Sequence, residues 1–397
     1  MTIGVSTLGQ ALAQIERFKD QQVLLDMLGT QLSTGKKTQK FSGLSQDVLT
    51  SQRARADIKS LDNYVNNIDN AERRIGLMLH SIEEFKAQAE NFSGLLVGFS
   101  QQSKHQEGEI VYYDDPSTPN VIEQIPVGMD SSEPTVELKT LTDYAEKISE
   151  LFVDLLNQKD GDRYLLSGAQ TLSQPVADTS TLDAALNTLF SEWKSETITT
   201  TDFIADIQDR TTTNGNADAL TDTIVGYNSV LSSGNAKDIF VRIDETSEVN
   251  YTALATETAF RDIMVAVSYI KNENLGPVID QVDPDTLAVV NEGAPGANAD
   301  EMKDNFFEVF NALSTMVNEA IDDIDQVRFG LELDRARLAE AKQSHLNEKQ
   351  VLLSIVSDVE DVDINQVAVS INSLSTQLDA SYRVTALTSQ ISLVNFL

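Results

Sequence analysis

Apolar residues recur with the three-and-four spacing of an α-helix along both ends of this chain. At the N-terminal end the spacing predicts a helix over residues 1–32, and Gly35 marks its end because glycine commonly follows the last helical turn. The apolar positions of this helix are Leu8, Ile15, Phe18, Leu25 and Leu32. At the C-terminal end the spacing predicts a last helix whose stripe slips once near Ala380. Its apolar positions are Ile364, Val367, Ile371, Leu374, Leu378, Val384, Leu387, Ile391 and Val394, with Phe396 and Leu397 at the chain end.

Two longer helical tracts lie between these ends. One repeats on a heptad over residues 58–96, with Glu72, Lys86 and Ser93 as polar interruptions. The other holds one register from Phe306 to Ile355, which is about 75 Å of helix at about 1.5 Å per residue. An ordinary globular helix averages about 11–12 residues, so this length indicates a coiled-coil-like rod.

The middle of the chain has a different pattern, with proline, glycine and short polar residues replacing the long periodic tracts. Residues 239–243 alternate as a half-buried strand does, and the run DETSE would turn the chain back toward Val249 and Tyr251. Short helices are predicted at 139–158 and 260–270. This region therefore reads as a mixed α/β insert between two helical halves.

The excess of acidic residues disfavours two classes of binding partner, nucleic acid and anionic lipid. The chain has 29 Lys and Arg against 62 Asp and Glu, a formal net charge of −33. Such a surface repels nucleic acid and anionic lipid. The chain contains no cysteine, which excludes disulfides and cysteine zinc sites. No cleavable signal is visible at the start and no run of 18 apolar residues occurs, so no membrane insertion is expected.

The sequence offers one dense group of chemically active side chains, the acids Asp358, Glu360, Asp361 and Asp363. They lack the glycine and the spacing of a calcium loop. The alternative to a metal or catalytic site is a joint between two helices, in which Asp361 or Asp363 caps the last helix. His345 falls on the apolar seam of the long rod, either as a pH-sensitive contact or as a core histidine. We predict no catalytic, cofactor or metal site.

The two terminal helices require partners. Each carries an apolar stripe, and an isolated helix of this kind is marginal in water until the stripe is buried. The two helices have similar lengths and could pair with each other. One pairing leaves one side of each helix exposed, so we predict further partners.

Four passages carry a resemblance. They are LSTGKK at 32–37, DRYLLSGAQTLSQPV at 162–176, VEDVDINQVAVSINSL at 359–374 and YRVTALTSQISLVNFL at 382–397. In order, they resemble the turn after the first terminal helix, the hairpin before the outer domain, the joint before the last helix and the chain ending of the flagellin superfamily. Within it they are most similar to proteins of the hook–filament junction.

The resemblance implies a mainly α fold with an α/β or β-rich insert, in which a long antiparallel, coiled-coil-like helical rod from both termini carries an outer variable domain. The implied division is an N-terminal inner helix (1–35), a first part of the rod domain with a hairpin (36–176), an outer variable α/β insert (177–245), a second part of the rod domain (246–357) and a C-terminal inner helix (358–397).

The resemblance also implies a non-enzymatic, extracellular subunit of the bacterial flagellum, exported by the flagellar type III apparatus without a cleaved signal peptide. Its implied partners are a homo-oligomeric ring, a neighbouring hook-associated protein, flagellin, and an export chaperone on the C-terminal helix. Flagellin itself, the bulk filament subunit, is the close alternative. A cytosolic coiled-coil scaffold and a hydrolase housed in the insert are alternatives of a different class.

Overall fold

The computed structural model describes residues 7–104, 110–114, 122–126, 133–212, 219–282, 286 and 288–394. The chain divides into two compact units. The terminal unit consists of Met1–Asn66 and Lys342–Leu397, and the central unit consists of Asn67–Ala341.

Helices account for most of the described residues, which confirms the predicted fold class. The α-helices are α1 (Thr7–Thr34), α2 (Val48–Lys104), α3 (Glu133–Leu156), α4 (Ser180–Lys194), α5 (Thr200–Gln208), α6 (Asp222–Val225), α7 (Ser229–Ser232), α8 (Thr258–Ile270), α9 (Ala299–Glu360) and α10 (Ile364–Val394), with a 3₁₀ helix at Phe41–Asp47. The strands are β1 (Ile110–Asp114), β2 (Ile122–Pro126), β3 (Lys159–Asp160), β4 (Arg163–Tyr164), β5 (Phe240–Arg242), β6 (Glu248–Asn250), β7 (Gln281–Val282) and β8 (Val289–Asn291).

In the central unit, α2 and α9 run antiparallel in a register that polar pairs mark. Three polar residues of α2 pair with three polar residues of α9. On each helix these residues are seven positions apart, which is the heptad period. Two of the polar interruptions in the α2 heptad therefore have matching polar partners on α9, and a polar pair on an apolar seam specifies register. The pairs are Lys86 Nζ with Asp325 (2.8 Å), Ser93 Oγ with Asn318 Oδ1 (2.7 Å) and Ser100 Oγ with Asn311 Oδ1 (3.0 Å).

The central unit has one continuous apolar core. The predicted stripe of α9 supplies Phe306 and Phe310, whose rings stack 4.6 Å apart. The only tryptophan, Trp193 on α4, is fully buried and stacks on Phe203 with ring centroids 4.7 Å apart. Buried aromatic side chains dominate core energetics because each removes a large apolar area from water.

Short antiparallel strands complete the central unit. One sheet has the order β1-β2-β7-β8, and β3 pairs with β4 across a turn at Gly161, whose φ of 62° lies in the left-handed region. The predicted strand return is confirmed, since β5 pairs with β6 and Val241 lies opposite Val249. The predicted helices at 139–158 and 260–270 correspond to α3 and α8.

A buried cation joins the segments that precede α8. The Arg261 side chain, 1% exposed, donates from Nη2 to the backbone carbonyl of Leu220 at 2.7 Å and to that of Asp209 at 3.0 Å. Its Nη1 donates to the Asp262 carboxylate at 2.6 Å. A buried charge is tolerated when such partners surround it, so Arg261 fixes these loops against α8.

The terminal unit has a smaller apolar interior, formed by the first part of α2 and the last part of α9. Ala54, Leu61 and Val356 are buried there. His345 is 8% exposed and its ring stacks on Tyr64 with centroids 5.7 Å apart. The histidine on the predicted apolar seam therefore occupies a packed position.

Candidate assembly interface on the terminal helices

The candidate interface is supported by a turn at the end of α1. Gly35 has a φ of 69°, and its N–H donates to the Gln31 carbonyl at 2.8 Å, which closes the last turn of the helix. The side chains of Ser33 and Thr34 both donate to the Thr30 carbonyl at this end of the helix. The predicted end of the first helix is confirmed.

The turn after α1 is hydrogen-bonded to the break between α9 and α10. The Lys37 N–H donates to the Glu360 carbonyl at 2.7 Å, and the Val362 N–H donates to the Gly35 carbonyl at 3.0 Å. Lys37 Nζ also donates to the Asp358 carbonyl at 2.7 Å. These bonds join two segments that lie more than three hundred residues apart in sequence.

Glu360 is the central charge of this contact, and its side chain is 9% exposed. Arg55 on α2 binds it with two parallel hydrogen bonds, Nε to Oε1 at 2.8 Å and Nη2 to Oε2 at 2.6 Å. Ser51 Oγ donates to Oε1 at 2.5 Å, and Lys36 Nζ lies 3.4 Å from Oε2. The Arg55 guanidinium lowers the pKa of Glu360 to about 2, since donors of this kind stabilise the charged form.

The other three acids have separate contacts. Asp361 forms an ion pair with Lys36 at 2.5 Å and accepts a hydrogen bond from Ser357 Oγ at 2.6 Å. Its pKa is lowered, mainly by the Lys36 hydrogen bond. Asp363 Oδ1 accepts from the N–H groups of Asn365 at 2.8 Å and Gln366 at 3.3 Å, which is the geometry of an N-cap for α10. Asp358 is exposed.

The terminal helices α1 and α10 pack against each other within the terminal unit. The Phe18 and Tyr382 rings stack with centroids 5.0 Å apart and planes 10° apart. On α10, Val367, Leu374 and Leu378 are buried, and they repeat with helical spacing on one face.

The same pair of helices leaves much of its apolar surface in solvent. Ile15 is 62% exposed, and on α10 Leu387 is 58% exposed. Leu25 and Ile371 are half-buried. The other predicted interface positions that remain exposed are Leu32, Ile364 and Val384.

Five predicted interface residues have no described side chain. Leu8, Ile391 and Val394 lie on the described backbone of α1 and α10, whereas Phe396 and Leu397 lie outside the described residues. The contacts of these five side chains therefore stay predictions.

The C-terminal part of the chain matches the model of a known protein family. Residues 314–397 match the model of the bacterial flagellin C-terminal helical region. This flagellin-like segment comprises α9 from residue 314 to its end, the acidic break and α10.

Two further comparisons add little. A solved structure described as a flagellar hook-associated protein from Vibrio parahaemolyticus aligns with a TM-score of 0.40 and 10% identity, covering 79% of this chain and 97% of that chain. At this TM-score the likeness supports no conclusion about fold or function. No curated protein matches the chain.

The residues that bind Glu360 were not predicted from the sequence. Lys36, Ser51 and Arg55 lie far from the acidic run in the chain, and no pattern singles them out. The one available signal was the position of Lys36 directly after Gly35, at a predicted helix end.

The described residues offer neither a metal site nor a membrane span. Among them, no group of three or more histidine or acidic side chains is arranged to hold a metal ion. In the same part of the chain, no helix has the length and apolar character to cross a bilayer.

Proposed function

We propose that this chain is a structural subunit of the bacterial flagellum that acts as an adaptor at the hook–filament junction and has no catalytic role. The observation that carries the proposal is the flagellin-like segment at 314–397, which ends in a helix with exposed apolar side chains. A subunit of an axial assembly needs such a surface for its neighbours.

Burial of the exposed apolar side chains would contribute free energy to assembly. Burial of one large apolar side chain contributes about 1.5–3 kcal/mol. Ile15, Val384 and Leu387 alone would contribute several kcal/mol in each contact with a sister subunit. We therefore assign the exposed residues of α1 and α10 as the assembly interface and the acidic break as the joint that fixes α10.

The proposed partners follow from this surface. Sister copies form a homo-oligomeric ring, and a hook-associated protein and flagellin contact the ring on either side. A chaperone covers α10 before export through the flagellar type III apparatus, because Val384 and Leu387 are exposed in the single chain. The proposed location is extracellular, at the junction.

Flagellin is the second candidate function, because its C-terminal helical region is the family that matches. The passage RYLLSG at 163–168 and the ending NFL favour the junction protein by resemblance. In the structure that passage begins in β4, the second strand of the hairpin with β3.

Deletion of the gene separates the two functions. Cells that keep their hooks and release flagellin into the medium would support the junction role. Cells that release no flagellin and carry short stubs would identify the chain as bulk flagellin. Normal filaments in the deletion strain would overturn both assignments.

Complementation tests the interface with a matched pair of leucines. Leu387 on α10 is 58% exposed and Leu172 in the central unit is 77% exposed, so an aspartate is tolerated at either position in the free chain. We expect Leu172→Asp to restore filaments and Leu387→Asp to fail, with the variant protein present at normal amounts. Filaments restored by Leu387→Asp would contradict the assignment of α10.

A further inference from the structure

Four arginines of the central unit line one cleft, although the chain has a net charge of −33. The cleft has a volume of about 700 Å³, within the range of small-molecule and side-chain binding sites. Two aspartates, Asp160 and Asp162, share the lining with the arginines, so cations exceed anions there. The arginines are Arg73 and Arg74 on α2, Arg163 on β4 and Arg242 on β5.

The charges of three arginines are incompletely neutralised. Arg73 forms an ion pair with Asp160 and keeps a side chain that is 56% exposed. Arg242 donates to the backbone carbonyls of Asp244 and Glu245, which leaves its charge without a carboxylate. Within the described part of the chain, the exposed Arg163 has no ion-pair partner.

The fourth arginine is buried at the base of the cleft. Arg74 is 8% exposed, and its Nη2 donates to the Tyr164 carbonyl at 3.3 Å. Its Nε has no hydrogen-bond partner among the described residues. Burial raises the pKa of the neighbouring Tyr251 hydroxyl, and the positive charges of Arg74 and Arg163 oppose that rise. A buried cation without a counter-ion costs free energy, which an anion in the cleft would recover.

The remaining lining suits an acidic side chain. Planar guanidinium groups bind carboxylates through paired hydrogen bonds. Asn67 and Asn70 add amide donors, and Phe240, 55% exposed, adds an apolar ring. Carboxylates on a peptide chain, with methylene groups beside them, match this combination of donors and apolar surface.

We propose that this cleft binds carboxylates and that its occupant is an acidic stretch of a second copy of this chain. The proposal rests on the proposed function, because sister copies meet in the assembly. Charge complementarity selects the occupant, since copies with 62 acids and 29 basic residues have a net electrostatic repulsion, which a cationic site that binds an acidic stretch reverses locally. Suitable carboxylates are exposed on α9 of the central unit and form no ion pair among the described residues: Glu319, Asp322 and Asp323.

The test places a photo-crosslinker in the cleft of the full-length chain in flagellated cells. Replacing Phe240 by p-benzoylphenylalanine keeps the aromatic ring at an exposed position of the lining. We expect irradiation to join two copies of the chain, with the second attachment in an acidic peptide. Arg163→Glu should reduce the yield of this product about tenfold or more, because it replaces the exposed cation by a like charge.

Lys147→Glu is the matched control. Lys147 is an exposed cation on α3 outside the cleft, and its replacement changes the net charge by the same amount. It should leave the crosslink yield unchanged. Trp193 fluorescence of each purified variant verifies that the central unit is folded.

Three results would overturn the proposal. They are absence of a crosslink between copies, a yield that Arg163→Glu leaves unchanged, and an equal loss with Lys147→Glu. Calorimetric binding of citrate or inorganic phosphate by the purified chain, lost in Arg163→Glu but without a crosslink between copies, would identify a small anion as the occupant instead. The phenotype of the gene deletion is measured in a separate experiment. Failure of the crosslinking test would therefore not contradict the proposed flagellar function.

Discussion

The terminal and central units differ in how they bury their apolar side chains. In the central unit, large side chains such as Trp193 and Phe310 are 0–1% exposed and belong to one continuous core. In the terminal unit Ile15, Val23 and Leu387 are 58–63% exposed. Most of the exposed large apolar residues among the described ones lie in the terminal unit.

The two units therefore depend on different interactions. The central unit obtains its stability from the hydrophobic effect within one chain. In the terminal unit, polar contacts around Glu360 join the end of α1 to the start of α10, while much of the apolar surface of these two helices is exposed. Under the proposed function, one chain carries a domain stabilised by its own core and a segment whose remaining stabilisation is intermolecular.

The largest expected difference between the units is in proteolysis of the free chain. Limited digestion of a proven monomer should cut α1 and α10, outside roughly residues 35–360, at least about a hundredfold faster than α4 or α8, because local opening is easiest where few apolar contacts close it. Mass spectrometry of the fragments gives the sites and rates. Equal cleavage rates in the two units would contradict the difference in stabilisation that we infer from their apolar burial.

A pair of truncations should separate the units by stability. Phe310→Ala, in the aromatic core, should lower the free energy of unfolding by about 3–5 kcal/mol. Leu387→Ala should change it by about 0.5 kcal/mol or less in the monomer, because the side chain is already exposed. Urea unfolding followed by Trp193 fluorescence and far-UV circular dichroism measures both. A loss of several kcal/mol for Leu387→Ala would show that the Leu387 side chain is buried in the free chain.

Sequence patterns predicted the parts of the fold that depend on local periodicity. The apolar spacing of Phe306, Phe310 and Leu313 identified a buried helical face, and Gly35 identified a helix end. Even the polar interruptions at Lys86 and Ser93 were visible as positions, though their partners on α9 were not.

The same patterns could not predict contacts between distant segments. Arg55 and Glu360 are 305 residues apart in sequence, and neither local spacing nor composition links them. The arginine cleft was not predicted for the same reason, because Arg74, Arg163 and Arg242 come from three separate elements. Within the acidic run, the position before a helix limited the cap to Asp361 or Asp363, and only the structure assigns it to Asp363. The role of Glu360 likewise required the tertiary structure.

The next largest effect concerns the polar contacts of the terminal unit. Glu360→Gln should destabilise the packing of α1 on the α9–α10 break by on the order of 2 kcal/mol at neutral pH, because Arg55 loses its counter-charge. The folded-state pKa of Glu360 is lowered to about 2 from 4.5, so this stabilisation is full above pH 4.5 and is lost as the pH falls toward 2. Amide hydrogen exchange of α1 and α10 between pH 3 and 6, corrected for intrinsic rates, checks both points.

Asp358→Asn is the control for that measurement. It removes one acid of the same run at an exposed position whose backbone carbonyl, not its side chain, accepts from Lys37. Exchange protection in this variant should follow the wild-type pH dependence. If Glu360→Gln retained the full acid sensitivity of the wild type, other carboxylates would account for it, with Asp361 the first to examine because its pKa is also lowered.

The smallest effect should come from the cap of α10. Asp363→Ala removes the acceptor for the Asn365 and Gln366 N–H groups and should cost about 1 kcal/mol, whereas Asp363→Asn should keep most of the cap. Faster hydrogen exchange should be confined to the terminal unit, and the Trp193 unfolding transition should not move. The result sharpens the comparison because α10 buries fewer apolar side chains than the helices of the central core, so a lost hydrogen bond is less easily offset. A shift of the Trp193 transition would instead mean that the two units unfold as one, and the free chain would then resemble an ordinary single domain.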